Sequence, residues 1–466
     1  MRRRDVRQTS PGMGFTPSGR FYARTVTGRR DTLNRDILRL AVPALGSLVA
    51  EPLFLIVDSA LVGHLGVTPL AGLGIASAVL QTIVGLMVFL AYATTPAVAR
   101  RFGAGDPTRA VSVGIDGMWL ALGIGAILAL AGYLATPLLV GLFGASPEVT
   151  ADAETYLGIS MWGLPAMLIV FAATGLLRGM QDTVIPLWIA GLGFGANALL
   201  NWLFIYGFGW GIGGSAFGTV VAQWGMVAAY VVVIGRLARR HDASVRPHRA
   251  GVRGSARSGG WLFLRTLSLR AALLATVFAA TTLGTEELAG WQVAFTIFST
   301  AAFALDALAI AAQALIGKGL GAGDTGEVQR TLERTVTWGA WFGVIVGAMI
   351  GALSGVIGLL FTGDAALAAL IQPALIVLAV AQPVCGVVFV LDGVLIGAGD
   401  AKYLAIAGVV NLVPFVPTLV VPAMLGAGGA AGLAWLSVAF FGVYMLARLA
   451  TLGWRVRGAA WMSAGA

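Results

Sequence analysis

Residues 39–66 read RLAVPALGSLVAEPLFLIVDSALVGHLG, which is long enough to cross a lipid bilayer. About 20 apolar residues, each adding about 1.5 Å, cover the hydrocarbon core. The stretch also carries two carboxylates, Glu51 and Asp58, and two prolines, Pro43 and Pro52. An ionisable side chain is costly at membrane depth unless it faces a cavity or a partner, so both carboxylates are predicted to be functional. They lie about two helical turns apart and therefore on nearly the same helix face.

The two prolines predict that this helix bends more than any other in the chain. Each proline removes one backbone hydrogen bond from the helix interior. A polar pair that only holds neighbouring helices together is the alternative role for Glu51 and Asp58. We favour the functional role, because ionisable groups inside membrane helices usually mark a transport pathway.

The composition of the chain is that of a polytopic membrane protein. Its 466 residues are 58% hydrophobic and only 11% charged, and they include 65 glycines. An ordinary soluble domain has about 25% charged residues, and abundant glycine is typical of closely packed membrane helices. The single cysteine, Cys385, excludes an internal disulfide bond.

Twelve apolar segments are long enough to span the membrane, and we predict an all-α fold of twelve transmembrane helices. We predict a disordered basic tail over residues 1–38, an N-terminal lobe over 39–235, an Arg-rich linker over 236–260, a C-terminal lobe over 261–452 and a tail over 453–466. The predicted spans are 39–63, 71–98, 112–140, 155–177, 184–206, 213–235, 261–283, 289–316, 335–360, 368–396, 403–424 and 429–452.

Positive charge lies on one side of this arrangement. Arginine fills the N-terminal tail, and lysine or arginine occurs in the connections after the even-numbered spans, whereas the alternate connections contain neither. The positive-inside rule then places both termini in the cytoplasm of a plasma-membrane protein. The net charge of +9 therefore reflects topology and contact with anionic lipid, and no nucleic-acid partner is predicted.

The sequence repeats itself at a constant spacing of 218 residues. The tetrapeptide GAGD occurs at 103–106 and again at 321–324, and Pro165 matches Pro383 at the same spacing. Several matches in register are hard to obtain by chance from glycine-rich loops alone. The chain is therefore predicted to form two six-span lobes of the same orientation, related by an axis along the membrane normal.

Other polar side chains inside the spans are candidates for a site. Asn197 and Asn201 share a face of span 5, as do Thr219 and Gln223 of span 6. In the second lobe the candidate polar network consists of Arg270, Asp306, Gln313 and Asp392. Arg270 and Asp306 lie at similar depth in adjacent spans, so an ion pair between them is predicted, with a structural or a switching role. Asp392 lies near the end of its span and is expected to cap the helix or to reach the interface.

No arrangement of residues typical of an enzyme occurs in the chain. There is no Ser/His/Asp pattern and no metal-ligand spacing, and the GAGD loops are not preceded by a strand as a phosphate-binding loop would be. We therefore predict no enzyme activity, no metal and no cofactor. The expected partners are small organic molecules and the bilayer, and the protein is expected to be a monomer.

These motifs resemble those of the multidrug and toxic compound extrusion (MATE) family. The similar segments are PALG…EPLFLIVDSALVGHLG, the paired GAGD loops, LLRGMQDT and GWGIGGSAFGT, and FALDALAIAAQALIGKGLGAGD and VLDGVLIGAGD resemble the DinF branch. The resemblance covers nearly the whole chain after the tail. It implies cation-coupled export of diverse, often cationic, compounds by a pair of six-helix lobes.

The resemblance also implies roles for individual residues. The coupling aspartate of span 1 falls on Asp58, with the helix-bending proline on Pro43, and the family's polar residues of spans 5 and 6 fall on Asn197 and Thr219. Some relatives carry a second aspartate where this chain has Asn201, which puts a two-carboxylate cation site in doubt. Glu51 is the candidate for the missing acid.

We therefore expect a secondary active exporter of organic, cationic and amphipathic compounds in antiport with H⁺, with Na⁺ as the lesser candidate. Protonation of Asp58 would release span 1 from Asn197 and Asn201 and let it bend at Pro43. Two alternatives remain open: a flippase for lipid-linked precursors from the same superfamily, and a stress-response membrane protein that transports nothing.

Overall fold

The computed structural model describes residues 19–362 and 364–463, and within these the secondary structure is helical. Twelve helices in the described part of the chain are long and apolar enough to cross a membrane, as predicted. We number them in chain order as spans 1 to 12, with spans 1–6 forming the N-lobe and spans 7–12 the C-lobe. The spans are Thr32–Gly63, Val67–Gly103, Pro107–Gly141, Pro147–Gly179, Val184–Gly207, Gly211–Arg240, Arg249–Leu283, Thr285–Gly321, Thr325–Phe361, Ala365–Gly397, Ala401–Leu419 and Gly429–Arg457.

The first helix begins earlier than predicted. It runs from Gly19 to Gly63, so the prediction of disorder is wrong for residues 32–38, and the part of that tail over residues 1–18 lies outside the described residues. Ile37 is fully buried, and Asn34 accepts a hydrogen bond of 2.7 Å from Nε of Arg334. Apolar burial and a polar contact with span 9 hold this segment in place.

The predicted linker and C-terminal tail are also shorter than expected. Only residues 241–248 lie between the helices of spans 6 and 7, because span 7 begins at Arg249. The backbone N–H of His248 donates to Oδ1 of Asp116 at 2.7 Å, which ties the start of span 7 to span 3. Near the C-terminus Trp461 is fully buried, and the last residues of the tail, 464–466, lie outside the described part.

The internal repeat predicted from the sequence recurs in the helix boundaries. Spans 2, 3, 4 and 6 begin at residues 67, 107, 147 and 211, and spans 8, 9, 10 and 12 begin 218 residues later, at 285, 325, 365 and 429. The glycines that precede spans 2 and 8 are equivalent too. Gly66 and Gly284 have φ of 134° and 157°, a conformation that a side chain would strain.

The lobes meet on the side that carries the Lys- and Arg-containing connections, which we call the basic side. Gly103 at the end of span 2 lies directly against the carbonyl oxygen of Lys318, and Gly321 at the end of span 8 lies against that of Arg100. A Cβ at either glycine would overlap the opposing backbone, so the close approach requires glycine. The two contacts are related by the 218-residue repeat.

Hydrogen bonds also join the lobes on this side. Nε2 of Gln181 donates to the carbonyl oxygen of Ala314 at 2.9 Å, and Nε2 of Gln313 donates to that of Tyr92 at 3.1 Å. The carbonyl of Tyr92 lacks its helical donor because Pro96 has no N–H. Gln313, predicted as part of a polar network, therefore satisfies an acceptor that a proline in the other lobe leaves open.

The helix of span 1 is continuous through both of its prolines. Pro43 leaves the carbonyl oxygen of Arg39 without a helical donor, and Oγ1 of Thr183 donates to that oxygen at 3.4 Å. Pro52 lies between Glu51 and Asp58, in the segment that approaches the candidate site. A bend of span 1 at Pro43 stays a prediction.

Candidate functional site

The fold buries the carboxylate of Asp58. Asp58 lies five residues before the end of span 1, and only 3% of its surface is exposed. The surrounding side chains come from spans 4, 5 and 6, so the site is inside the N-lobe, in its half opposite the basic side. A buried carboxylate without partners is very unfavourable, and its position therefore depends on the groups that donate to it.

Three side chains donate hydrogen bonds to Asp58. Oδ1 accepts from Oγ of Ser215 at 2.6 Å and from Nδ2 of Asn201 at 2.7 Å, and Oδ2 accepts from the hydroxyl of Tyr156 at 3.1 Å. Hydrogen bonds to a charged group are worth about 1.5–3 kcal/mol each. The arrangement is therefore complementary to an ionised carboxylate.

Thr219 and Asn197 lie at the edge of this group. Nδ2 of Asn201 is 3.4 Å from Oγ1 of Thr219 and 3.3 Å from Oγ of Ser215. Asn197 lies one turn before Asn201 and is 3% exposed, but it forms no hydrogen bond with any residue that the structure describes. The amide oxygens of Asn197 and Asn201 are both buried and without a partner among the described residues.

The structure adds two residues that the sequence reasoning missed, Ser215 and Tyr156. Ser215 had a usable signal, because it lies four residues before Thr219 and eight before Gln223, on the polar stripe of span 6. Tyr156 had none, since a tyrosine near a span end usually indicates an interfacial anchor. Its hydroxyl is placed at Asp58 only by the packing of span 4 against span 1.

Glu51 does not join Asp58. The seven residues between them correspond to about 10 Å along the helix. Glu51 is exposed, whereas Asp58 is buried, and it forms no hydrogen bond or ion pair with the described residues. The site around Asp58 thus contains a single carboxylate.

The C-lobe holds a second charged group, which differs from the predicted one. Arg265 forms a direct ion pair with Oδ2 of Asp392, and Nη2 of Arg448 lies 3.5 Å from Oδ1 of the same side chain. Asp392 is 7% exposed, so it neither caps a helix nor reaches the interface. The burial and the two arginine partners make Asp392 the centre of this group.

The predicted pair of Arg270 with Asp306 is wrong. Arg270 is exposed and its guanidinium lies against the backbone of Gly85 in span 2. Asp306 is partly exposed and has no ion pair within the described residues. Span 7 begins twelve residues earlier than predicted, which moves Arg265 from the helix end into its interior and makes it the partner of Asp392.

The repeat shows that each lobe has a polar group that is not found at the equivalent positions of the other lobe. At the 218-residue spacing, Asp58 corresponds to Thr276 and Asn201 to Leu419, so the C-lobe has no second copy of the N-lobe site. Conversely, the pair Asp392–Arg448 corresponds to Thr174 and Tyr230, whose hydroxyls are 2.8 Å apart. In the C-lobe, aromatic rings fill the interior, and Trp291 and Phe298 each contact both Phe440 and Phe441.

Comparison with known proteins places the chain among transporters. A family model described as MatE matches residues 43–203 and 263–421, one segment in each lobe. Protein DETOXIFICATION 44, chloroplastic, of Arabidopsis thaliana is 29% identical over 437 residues, which are 91% of this chain and 82% of that protein. DNA damage-inducible protein F of Escherichia coli is 27% identical over 442 residues, which are 89% of this chain and 92% of that protein.

Solved structures share the fold. A crystal structure of MATE in the bent conformation superposes with a TM-score of 0.83 at 23% identity and covers 92% of this chain and 96% of its own. The MATE transporter VcmN of Vibrio cholerae in the bent form gives a TM-score of 0.81 at 20% identity and covers 92% of this chain and 99% of its own. At these identities the likeness is one of architecture.

Proposed function

Because the chain belongs to the MatE family, whose members are efflux transporters and not enzymes, we propose that it exports organic compounds in exchange for protons, with Asp58 carrying the proton. The observation that supports this role is the buried carboxylate of Asp58, which accepts hydrogen bonds from three side chains, Tyr156, Asn201 and Ser215. The same side chain was the strongest candidate from the sequence alone.

Protonation of Asp58 must rearrange these hydrogen bonds. Both carboxylate oxygens already accept bonds, so a proton added to either one meets a donor. The hydroxyls of Ser215 and Tyr156 can rotate and accept, but the amide N–H of Asn201 cannot. Whichever oxygen takes the proton, hydrogen bonds to the neutral carboxyl group are weaker than those to the carboxylate. One proton therefore weakens the link between span 1 and its neighbours, and the two protonation states favour different positions of the helix.

In the proposed cycle, a proton enters from the side opposite the basic connections and neutralises Asp58. Span 1 then moves, the cavity in the N-lobe becomes smaller and the bound compound leaves. When the transporter opens to the other side, Asp58 loses the proton and the bonds from Tyr156, Asn201 and Ser215 form again. One proton thus moves inward for each compound expelled.

We further propose that the basic side faces the cytoplasm, with both termini there, in the plasma membrane. The compounds are organic, cationic and amphipathic, because Glu51 places an unpaired carboxylate on span 1 that favours a cation. A Na⁺ ion is the second candidate for coupling. The unpartnered amide oxygens of Asn197 and Asn201 favour it, since a cation of this kind prefers oxygen ligands.

The test is uptake of a fluorescent cationic dye into everted membrane vesicles, in which export from the cytoplasmic face fills the vesicle, driven separately by a ΔpH and by a Na⁺ gradient. We expect transport with ΔpH alone, and its loss in Asp58→Asn. Asp242→Asn is the matched control, because Asp242 is exposed and its φ of 49° suits asparagine. Its transport should equal that of the wild type.

Other outcomes assign other functions. Transport with the Na⁺ gradient alone would make Na⁺ the coupling ion. Gradient-driven uptake that persists in Asp58→Asn would contradict the role of Asp58. If neither gradient moves the dye, the flippase becomes the better explanation. In that case the buried arginines of the C-lobe would be its candidates for binding a pyrophosphate group.

A further inference from the structure

The buried charges between the lobes do not balance. Three arginines, Arg178, Arg265 and Arg448, are 8%, 9% and 7% exposed. The carboxylates that interact electrostatically with them are Asp306 and Asp392. With all five ionised, the group has one positive charge in excess. We call these five residues the arginine cluster.

The excess positive charge is centred on Arg178. Asp392 is shared between Arg265 and Arg448. The side chain of Arg178, at the end of span 4, forms no ion pair within 4 Å and no hydrogen bond with any of the described residues, and its Nε is buried without an acceptor. The nearby groups with which it interacts electrostatically are Tyr92, Tyr230 and Asp306.

Arg178 cannot remove its unpaired charge by losing a proton, because the guanidinium of arginine stays charged in proteins. An unpaired buried charge is strongly unfavourable, whereas a charge with a counterion and hydrogen bonds is tolerated. The side chain of Arg178 offers five N–H donors in a planar fork, suited to an anion. An anion at this position would balance the charge of the cluster.

The cluster can be reached from solvent. Asp306 and Tyr92 are only partly buried, and the guanidinium of Arg265 lies 5.9 Å from the centre of the Tyr92 ring. Arg178 and its neighbour Tyr92 belong to the N-lobe, and the other four members of the cluster belong to the C-lobe. An ion bound at Arg178 would therefore lie close to residues of both lobes.

We propose that the arginine cluster binds one monovalent anionic group, held by Arg178. The group is either a dissolved halide or the carboxylate of an organic compound in the cleft between the lobes. The proposal goes beyond the proton-coupled export proposed above and does not depend on it, because binding is measured without transport.

Thermal unfolding of the purified full-length protein tests the proposal. Cys385 is the only cysteine and is fully buried, so a fluorogenic maleimide reports unfolding without any engineered label. Sodium chloride and sodium benzoate are titrated separately at constant ionic strength, with sodium sulfate, whose anion is divalent and carries no carboxylate, as the replacement. A bound anion should raise the midpoint temperature in a saturable manner.

We expect this rise in the wild type and in Arg178→Lys, which keeps the charge, and its loss in Arg178→Gln. Arg240→Gln is the matched control, because Arg240 is exposed at the end of span 6. A rise with chloride identifies a halide site, and a larger rise with benzoate identifies the carboxylate of an organic compound.

Asp306→Asn provides a second test that misfolding cannot imitate. It removes the carboxylate that interacts electrostatically with Arg178. Half of the full rise in midpoint temperature should therefore be reached at a severalfold lower anion concentration. The proposal is overturned if neither anion shifts the wild type, if Arg178→Gln responds like the wild type, or if Asp306→Asn needs an equal or higher concentration.

Discussion

Replacing Gln313 by leucine should open the contact between the lobes on the basic side. Nε2 of Gln313 donates at 3.1 Å to the carbonyl of Tyr92, which has no helical donor because of Pro96. Leucine has a similar volume but no donor. Gln313 is 2% exposed, so water cannot readily replace its amide. The carbonyl is then left buried and unpaired only while the lobes stay in contact.

The size of the effect follows from that carbonyl. A buried acceptor without a donor costs about 1–3 kcal/mol. Since about 1.4 kcal/mol corresponds to a factor of ten, the ratio of lobes in contact to lobes apart should fall by roughly 5- to 150-fold. This cost falls only on the conformation in which the lobes are in contact, because water can donate to the carbonyl of Tyr92 once the lobes separate.

Spin-label distances measure this ratio. Ala104 and Ala322 are exposed, lie directly after Gly103 and Gly321, and are equivalent in the repeat. Labelled cysteines at these positions, in a Cys385→Ala background, should show a larger population of long distances with Gln313→Leu. In the control, Gln329→Leu, the glutamine is exposed on span 9 and the distances should not change. An unchanged distribution in Gln313→Leu would refute the reasoning.

Three further variants have defined outcomes. Ser215→Ala removes the 2.6 Å hydrogen bond to Asp58, which stabilises the ionised form by about 1.5–3 kcal/mol, and should slow ΔpH-driven dye transport at least tenfold. Transport at the wild-type rate would contradict the role of this site. Glu51→Gln should raise the KM for a cationic dye severalfold but not that for a neutral dye, and equal changes would exclude a charge contact. Trp461→Ala should lower the free energy of unfolding by about 3–5 kcal/mol, because the ring is fully buried. An unchanged unfolding midpoint, measured with the maleimide at Cys385, would show that the ring is not packed in the protein interior.

The sequence allowed prediction of the span count, the repeat and Asp58 because each leaves a one-dimensional signal. Apolar length identifies a span, a constant spacing identifies a duplication, and a carboxylate in an apolar stretch is conspicuous. The contacts of Asp58 are different in kind. Tyr156 is 98 residues away in the chain, and no periodicity in span 4 indicates which face of that helix meets span 1.

The charged group of the C-lobe could not be predicted because helix ends were misplaced. Hydropathy underestimates a membrane helix that continues into a polar segment, as span 7 does from Arg249. The depth assigned to Arg265 was therefore too shallow, and Arg270 was paired by depth alone with Asp306. Depth does not determine the direction of a side chain around the helix, and Arg270 points to span 2.

The two glycine contacts between spans 2 and 8 have the form of an isologous interface, in which each half presents the same surface to the other. Gly103 meets the backbone of Lys318, and Gly321 meets that of Arg100 in the same way. Such an arrangement is that of a twofold homodimer whose subunits have become covalently joined. The join, residues 241–248, lies outside the spans. Two separately synthesised fragments divided there should accordingly associate in the membrane into a complementing pair, and an alanine at either glycine should weaken that association.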